Sequence, residues 1–125
     1  MFTTAILKQS DILNGLGINL EYELKNDDNP SKRVQLFLDT TDEWCRSYLK
    51  MQYGVNDVIE DLAQWRIDYY KRGLLKQIEY ILRNGKTTID NGYIRETGLI
   101  IDFSKIALGY DAYMQFRLGA FCNIH

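Results

Sequence analysis

The sequence has little of what metal and catalytic sites are usually made from. It contains one histidine, His125, and two cysteines, Cys45 and Cys122, which lie 77 positions apart. Zinc sites need several Cys or His ligands at close spacing, and a Ser-His-Asp or Cys-His arrangement would have to use a terminal histidine as its base. We therefore predict no catalytic residues, no metal, no cofactor and no enzymatic activity. The two cysteines are expected to be reduced and to pack as small hydrophobic side chains.

An excess of basic residues and a long apolar run are missing as well. The net charge is −2, whereas a protein that binds nucleic acid chiefly through phosphates usually carries a basic patch. No apolar run approaches the roughly 18 residues that cross a bilayer, and residues 1–8 lack the basic and apolar regions of a signal peptide. No membrane association is predicted, and the expected compartment resembles the cytoplasm.

The chain is long enough to form one domain, and it is rich in aromatic side chains. It has 125 residues, of which nine are Tyr, five Phe and two Trp. A chain of this length forms one domain with a real hydrophobic core. Tyr combines a large apolar ring with a polar tip, which suits half-buried contacts and interfaces. We therefore expect the surfaces of the domain to carry its function.

The first strong helical pattern covers residues 30–51. Asn29-Pro30 is a favourable helix start, with Asn as the N-cap and Pro at the first helical position, and Gly54 ends the pattern. The apolar stripe has helical spacing, and its members are Val34, Phe37, Leu38, Thr41, Trp44, Cys45, Tyr48 and Leu49.

A longer helix is predicted for residues 56–84, with Asn56 as its cap and Asn84-Gly85 as its stop. Gly73 interrupts this helix and costs up to about 1 kcal/mol relative to Ala, so it marks a bend or a close helix crossing. A last helix is predicted for residues 105–118, capped by Ser104 and followed by a tail, 119–125.

Two segments give weaker signals. Residues 1–29 form an N-terminal segment with short helical turns, although Leu20, Tyr22 and Leu24 alternate with polar residues at a strand period. Residues 86–103 contain Asn91-Gly92, a hairpin turn signal, so an extended loop and a weak hairpin are both open. The predicted fold is mainly all-α: one helical domain, 1–125, built as a small bundle of three main helices.

The long helix has apolar and aromatic side chains on more than one side, which is typical of a helix that buries its second side against a partner. A helix at the centre of its own domain would show the same pattern, and both readings stay open. The residues that we predict to form an interface are Trp65, Tyr69, Tyr80, Tyr93, Ile94 and Phe121.

The order of these features resembles that of the head-to-tail connector (adaptor) proteins of tailed bacteriophages. A Gln-x-x-Tyr-x-x-x-x-Gly segment at the end of the long helix, formed by Gln77, Tyr80 and Gly85, precedes an extended loop. Ser104 then opens the terminal helix, with Ala107 inside it. The resemblance covers most of the chain, and it is a likeness of layout more than of signature residues.

The resemblance implies a structural protein of the virion neck. Such proteins form rings, usually of twelve copies, between the portal and the tail, and their loops and chain ends reach neighbouring rings. The implied partners are further copies of the chain, the portal protein and tail-side neck proteins, with DNA only as passing cargo. The implied location is the virion, and the host cytoplasm during assembly.

Two other functions remain open at this point. The chain is also compatible with a small regulator that binds one protein partner through a Tyr-rich face. A helical DNA-binding domain would use the basic side of the long helix, which runs from Arg66 to Arg83. The acidic balance of the whole chain disfavours this last reading.

Overall fold

Six α-helices form the regular structure of residues 6–122, the part of the chain that the computed structural model describes. They are α1 (Gln9–Leu16), α2 (Leu20–Glu23), α3 (Pro30–Tyr53), α4 (Gln64–Arg83), α5 (Asn91–Thr97) and α6 (Tyr110–Leu118). Within these described residues there is no β-strand. The predicted all-α class is confirmed.

Helix α3 begins at the predicted residue and extends two residues beyond the predicted end. The side chain of Asn29 accepts a hydrogen bond from the backbone amide of Lys32 at 3.1 Å, and Pro30 occupies the first turn. The helix ends at Gly54, whose φ of 69° is the left-handed conformation that glycine adopts without strain. Its buried side includes Phe37, Leu38, Cys45 and Leu49, which belong to the core.

Helix α4 is shorter than the predicted 56–84 because residues 56–63 do not join it. The Asn56 side chain donates to the carbonyl of Gly54 instead of capping a helix. Residues Ile59–Asp61 form a single 3₁₀ turn that buries Ile59 in the core. The predicted end is nearly correct, since the helix stops at Arg83 and Asn84 adopts a left-handed conformation.

The centre of the core lies where α4 crosses α6. Gly73 faces the Phe116 ring so closely that a Cβ built on it would lie 2.4 Å from a ring carbon. The ring of Tyr70 packs on Phe116 and Phe121 with centroid distances of 5.4 and 5.7 Å. Gly73 is therefore a site of close helix crossing, one of the two roles predicted for it.

The predicted strand period at residues 20–24 is wrong. Leu20–Glu23 is the short helix α2, because the side chain of Asn19 accepts a hydrogen bond from the amide of Tyr22 and starts a helical turn. Leu20 and Leu24 are buried, while Tyr22 is exposed. Leu20 and Leu24 are four residues apart, so one helical turn places both side chains on the same, buried side.

The predicted extended loop or hairpin at 86–103 is also wrong in part. The Asp90 carboxylate accepts a hydrogen bond from the amide of Gly92 at 2.9 Å and starts helix α5. Asn91-Gly92 therefore lies in a helical first turn and forms no hairpin. A second 3₁₀ turn follows at Phe103–Lys105, where the Ser104 hydroxyl donates to Asp102.

Helix α6 begins at Tyr110, not near residue 105, because Ser104 is engaged with Asp102 and Gly109 is the N-cap. After α6, Phe121 and Cys122 turn back into the core. The remainder of the predicted tail, including His125, lies outside the described residues.

Candidate interaction surface

A buried carboxylate, Asp42, joins α3 to α4. The hydroxyl of Tyr70 donates to Asp42 Oδ1 at 2.6 Å, and Arg46 Nε donates to the same oxygen at 2.9 Å. Arg46 also bonds to Glu60, which attaches the 3₁₀ turn to α3. A buried charge needs this kind of pairing because its desolvation is costly. The cluster therefore offsets the desolvation cost of Asp42 and links α3 to α4 and to the 3₁₀ turn.

The environment of this cluster favours the neutral forms of Tyr70 and Cys45 and the charged form of Glu60. Burial, together with nearby Cys45 and Asp42, raises the pKa of Tyr70 well above its usual value. Burial, and then the charge of Asp42, raises the pKa of the Cys45 thiol in the same way. At the open end of the cluster, the hydrogen bond from Arg46 lowers the pKa of Glu60.

Both cysteines are reduced and buried. Burial raises the pKa of the Cys122 thiol to about 11. The thiolate is the reactive form of cysteine, so at neutral pH both side chains are protonated and pack as apolar groups. Within residues 6–122, no three His, Cys, Asp or Glu side chains are grouped so that they could hold a metal ion.

A single amide fixes the start of α6. Gln77 on α4 is fully buried; its Nε2 donates to the carbonyl of Ala107 at 2.9 Å, and its Oε1 accepts from the amide of Gly109 at 2.9 Å. The ring of Tyr80, one turn further along α4, packs against Gly109, where a Cβ would come within 2.9 Å of it. The signal in the sequence was a glutamine at a core position between Leu74 and Ile81.

Three of the predicted interface residues lie on one side of α4. Trp65 is 53% exposed, Tyr80 is 41% exposed, and Tyr69 between them is partly buried. Trp65 and Tyr69 are in edge-to-face contact, with ring centroids 6.4 Å apart. Tyr93 on α5 is partly buried as well.

Ile94 and Phe121 do not belong to an exposed surface. Ile94 is the fully buried residue of α5, and Phe121 packs edge-on against Tyr70. Their apolar area is used in the core of the chain itself, so neither presents a contact to a partner. The sequence shows that these side chains are apolar but does not show that the segments carrying them fold back.

The exposed side of α4 forms a continuous face of aromatic and cationic side chains. Successive members are three or four residues apart and fall within about 80° of the helix circumference over a length of about 27 Å. We call this surface the α4 face; its members are Trp65, Tyr69, Arg72, Lys76, Tyr80 and Arg83. The Arg72 guanidinium lies over the Tyr69 ring at 5.0 Å, and Lys76 and Arg83 both approach Glu79.

A second exposed surface was not predicted from the sequence. Ile100 is 66% exposed and Leu36 on α3 is 47% exposed. They line a shallow depression of about 140 Å³ together with Phe103. A neighbouring depression of about 410 Å³ shares Leu36 and is lined by Asp27 and Asp28 as well as by Lys32 and Arg33. We call this surface, formed by Asp27, Asp28, Leu36, Ile100 and Phe103, the Ile100 patch.

A backbone conformation explains why Ile100 points outward. Leu99 has φ of 60°, which is unusual for a residue with a side chain, and its side chain is buried. It follows Gly98, which is also left-handed and lies beside Asp27. Burying Leu99 in this way turns the next residue, Ile100, towards solvent.

None of the helices within residues 6–122 has both the length and the apolar character needed to cross a bilayer. Comparison of the chain with protein-family models, with curated protein sequences and with solved structures finds no match.

Proposed function

We propose that this chain is a structural head-to-tail connector (adaptor) protein of a tailed bacteriophage virion. Copies of it form a ring between the portal and the tail, around the channel through which DNA passes. The partners are other copies of the chain, the portal protein and tail-side neck proteins. The ring acts in the virion neck and assembles in the host cytoplasm, without catalysis or cofactor.

The observation that carries this proposal is the junction around Gln77. Two of the residues on which the resemblance rests, Gln77 and Ala107, are joined by a hydrogen bond across 30 positions of the chain, and a third, Tyr80, lies one turn along α4 from Gln77 and packs against Gly109. Gly85 lines the depression beside the same junction. The contacts of Gln77 and Tyr80 thus join the long helix to the segment that leads into the last helix.

The surface chemistry agrees with assembly through repeated contacts. Exposed Trp and Tyr side chains occur on α2, α4 and α6, at Tyr22, Trp65, Tyr80 and Tyr110. Trp, Tyr and Arg are the residues that most often dominate interface energies. In a ring, each weak contact is repeated and the contacts reinforce one another. A slightly acidic chain also lets DNA pass with little phosphate binding.

The test is the mass and shape of the assembled protein. The purified chain is examined by native mass spectrometry and negative-stain electron microscopy, alone and with the portal protein of the same phage. We expect a closed ring, of about twelve copies if the resemblance holds in detail. A chain that stays monomeric at millimolar concentration and does not bind the portal would contradict the proposal.

A protein-binding regulator is the second candidate. The groove between Tyr80 and Tyr110 has a volume of about 280 Å³ and is lined by side chains of both charges, among them Lys76, Glu79, Lys86 and Asp111, which would suit one extended polar segment of a partner. This function requires a one-to-one complex and no ring. The same mass measurement separates the two candidates.

A further inference from the structure

The chain contains three Asn-Gly pairs, which are Asn14-Gly15, Asn84-Gly85 and Asn91-Gly92. In such a pair the backbone nitrogen of the glycine can attack the side-chain amide of the asparagine, because glycine has no side chain to hinder the approach. Both residues of every pair are exposed. Access to water is therefore alike at the three pairs, and a difference in reactivity must come from the backbone around each attacking nitrogen.

Two of the pairs hold the attacking nitrogen in a hydrogen bond. Gly15 lies inside helix α1, where its backbone amide belongs to the helical hydrogen-bond ladder. The amide of Gly92, in the first turn of α5, donates to the Asp90 carboxylate at 2.9 Å. The Lys86 ammonium donates to the other oxygen of that carboxylate and fixes its position. A reaction at either pair must break the hydrogen bond and unwind a helical turn.

The nitrogen of the third pair is not engaged. Within residues 6–122, neither the Gly85 amide nor the Asn84 side chain takes part in a hydrogen bond. Asn84 and Gly85 are both left-handed, with φ of 45° and 78°. Asparagine tolerates this conformation better than most residues, although the conformation still has a free-energy cost. The pair therefore starts from a less stable backbone state than the two pairs in helices.

The backbone after Asn84 can also rotate at little cost. Asn84 itself stays attached to α4, because its own amide donates to two carbonyls of the last helical turn. Residues 85–88 beyond it are exposed. Rotation that brings the Gly85 nitrogen to the side-chain carbonyl of Asn84 disturbs two surface hydrogen bonds, both between Arg83 and the segment that follows. It leaves the helix itself intact.

We propose that Asn84 is a site of spontaneous deamidation, and that in the folded protein it reacts before the other two Asn-Gly pairs. The Gly85 nitrogen loses its proton to water and forms a bond to Cγ of Asn84. The bond between Cγ and Nδ2 breaks, and the side-chain nitrogen takes a proton from water and leaves as ammonia. Water then opens the succinimide ring at either carbonyl, which gives aspartate or isoaspartate. The reaction consumes one water, releases one ammonia and needs no other reactant.

Deamidation changes the charge and the geometry at the end of α4. The product has a carboxylate at a helix C-terminus, where the helix dipole disfavours negative charge. Isoaspartate also routes the backbone through the former side chain, which displaces residues 85–88 relative to α4. Gly85 and Lys86 line the groove between Tyr80 and Tyr110, so the change extends to that groove. The reaction does not depend on the proposed connector function.

The experiment follows all three pairs in one sample. The wild-type protein is incubated at mildly alkaline pH, beside a second sample that is unfolded in guanidinium chloride. Cleavage after glutamate gives the peptide 80–96, which contains both Asn84 and Asn91, and the peptide 1–21, which contains Asn14. Tandem mass spectrometry measures the conversion of each amide to a carboxylate. In the folded sample Asn84 should react about 10-fold faster or more than the other two, because their nitrogens must first leave a hydrogen bond.

The unfolded sample separates sequence from structure, since the three rates should converge there. Equal rates in the folded sample, or a faster reaction at Asn14 or Asn91, would overturn the inference. It would also be overturned if no pair reacted in the folded sample while all three reacted in the unfolded one.

Two substitutions test the effect of the new charge. Asn84→Asp should lower the guanidinium midpoint of unfolding, because it places a carboxylate at the C-terminus of α4. Asn91→Asp adds the same charge in the first turn of α5 and should lower the midpoint less. Equal midpoints for the two variants would contradict the predicted effect on α4.

Discussion

Tyr70 and Asp42 form the contact on which the α3–α4 pair depends most directly. Both side chains are buried, and the Tyr70 hydroxyl is one of the donors that satisfy the Asp42 carboxylate. A buried acceptor that loses a donor retains most of its desolvation cost, since no water can replace the bond. The stability of the folded state should therefore depend on the hydroxyl oxygen of Tyr70.

Tyr70→Phe removes that oxygen and keeps the ring that packs on Phe116. We expect the free energy of unfolding to fall by about 1–3 kcal/mol, because a charged acceptor loses a buried donor. Urea unfolding followed by circular dichroism measures it. Tyr80→Phe is the control, since the hydroxyl of Tyr80 forms no hydrogen bond within the described residues, and it should change stability by less than about 0.5 kcal/mol. Equal effects of the two substitutions would contradict this account.

Glu60 should make the free energy of unfolding depend on pH in the acid range. The hydrogen bond from Arg46 lowers its pKa in the folded state below the ordinary value of 4.5. The unfolded chain therefore binds more protons in the acid range, and the stabilisation present above the unfolded pKa is lost as pH falls through the folded pKa. Because half of the Glu60 side chain is exposed, solvent screening keeps this contribution small.

Glu60→Gln should flatten the acid limb of the stability curve. We expect the urea midpoint of the variant to drop less than that of the wild type between pH 6 and pH 3, chosen to span that transition. Glu43→Gln, at an exposed position with no ion pair among the described residues, provides the comparison. Parallel curves for wild type and Glu60→Gln would show that the Arg46 contact contributes nothing.

At the scale of elements, the α4–α6 crossing depends on the absence of one side chain. Gly73 lets the Phe116 ring lie directly on the helix backbone. Alanine is the better helix former by about 1 kcal/mol, yet its Cβ would overlap a ring that is itself fixed by Tyr70 and Phe121. Packing and helix propensity thus act in opposite directions at this position.

We expect packing to outweigh propensity in Gly73→Ala, with a net loss of about 1–3 kcal/mol in the free energy of unfolding. Gly15→Ala in α1 is the matched variant. Its Cβ would meet the end of the flexible Leu75 side chain, which can move aside, so we expect little or no loss. Chemical denaturation of both variants measures the difference. If Gly73→Ala were more stable than the wild type, α4 and α6 would have to move apart at little cost to make room for the added methyl group.

The sequence predicts α3 well and the segments around α4 poorly, for physical reasons. α3 has a strong local signal, since the Asn29 cap, Pro30 and a continuous apolar stripe act together. At residues 56–63 the apolar spacing resembles a helix, but the turn there follows contacts with distant residues, such as that of Glu60 with Arg46. In two other segments a side-chain cap starts a helix where the sequence pattern indicated something else. Asp90 caps α5 where Asn91-Gly92 indicated a hairpin, and Asn19 caps α2 where the alternation at residues 20–24 indicated a strand.

The candidate surface shows the same division. Residues that lie on a long helix, Trp65, Tyr69 and Tyr80, can be placed from their spacing alone. Ile94 and Phe121 could not be placed, because the burial of Ile94 depends on a short helix that the sequence did not predict and that of Phe121 on how the segment after α6 returns to the core. The Ile100 patch was missed because it joins α3 to a turn more than sixty positions away.

At the scale of the whole molecule, one of the two tryptophans lies against the core and the other on the surface, so their fluorescence can report on each separately. Trp44 is partly buried against the core, and Trp65 is on the α4 face. A Trp44→Phe chain leaves Trp65 as its single tryptophan. On assembly, its fluorescence maximum should shift to shorter wavelength as the indole loses water.

Trp65→Phe, which keeps only Trp44, should show little shift over the same concentration range. Fluorescence recorded in parallel with sedimentation links the optical change to the mass of the assembly. Assembly without any change in the emission of Trp65 would exclude this part of the α4 face from the contact.

The amide of Gln77 has a consequence for how the chain tolerates changes of length. By bonding to Ala107 and Gly109, it holds against α4 the end of the segment that leaves α4 at Asn84 and leads into α6. Residues 85–88 at the start of this segment are exposed, and lengthening a surface loop costs only about 0.6 kcal/mol for each doubling. Insertions there should leave the packing of the helices intact. The length of this exposed loop, and so the distance over which it can contact a neighbouring copy, can therefore change without altering the fold.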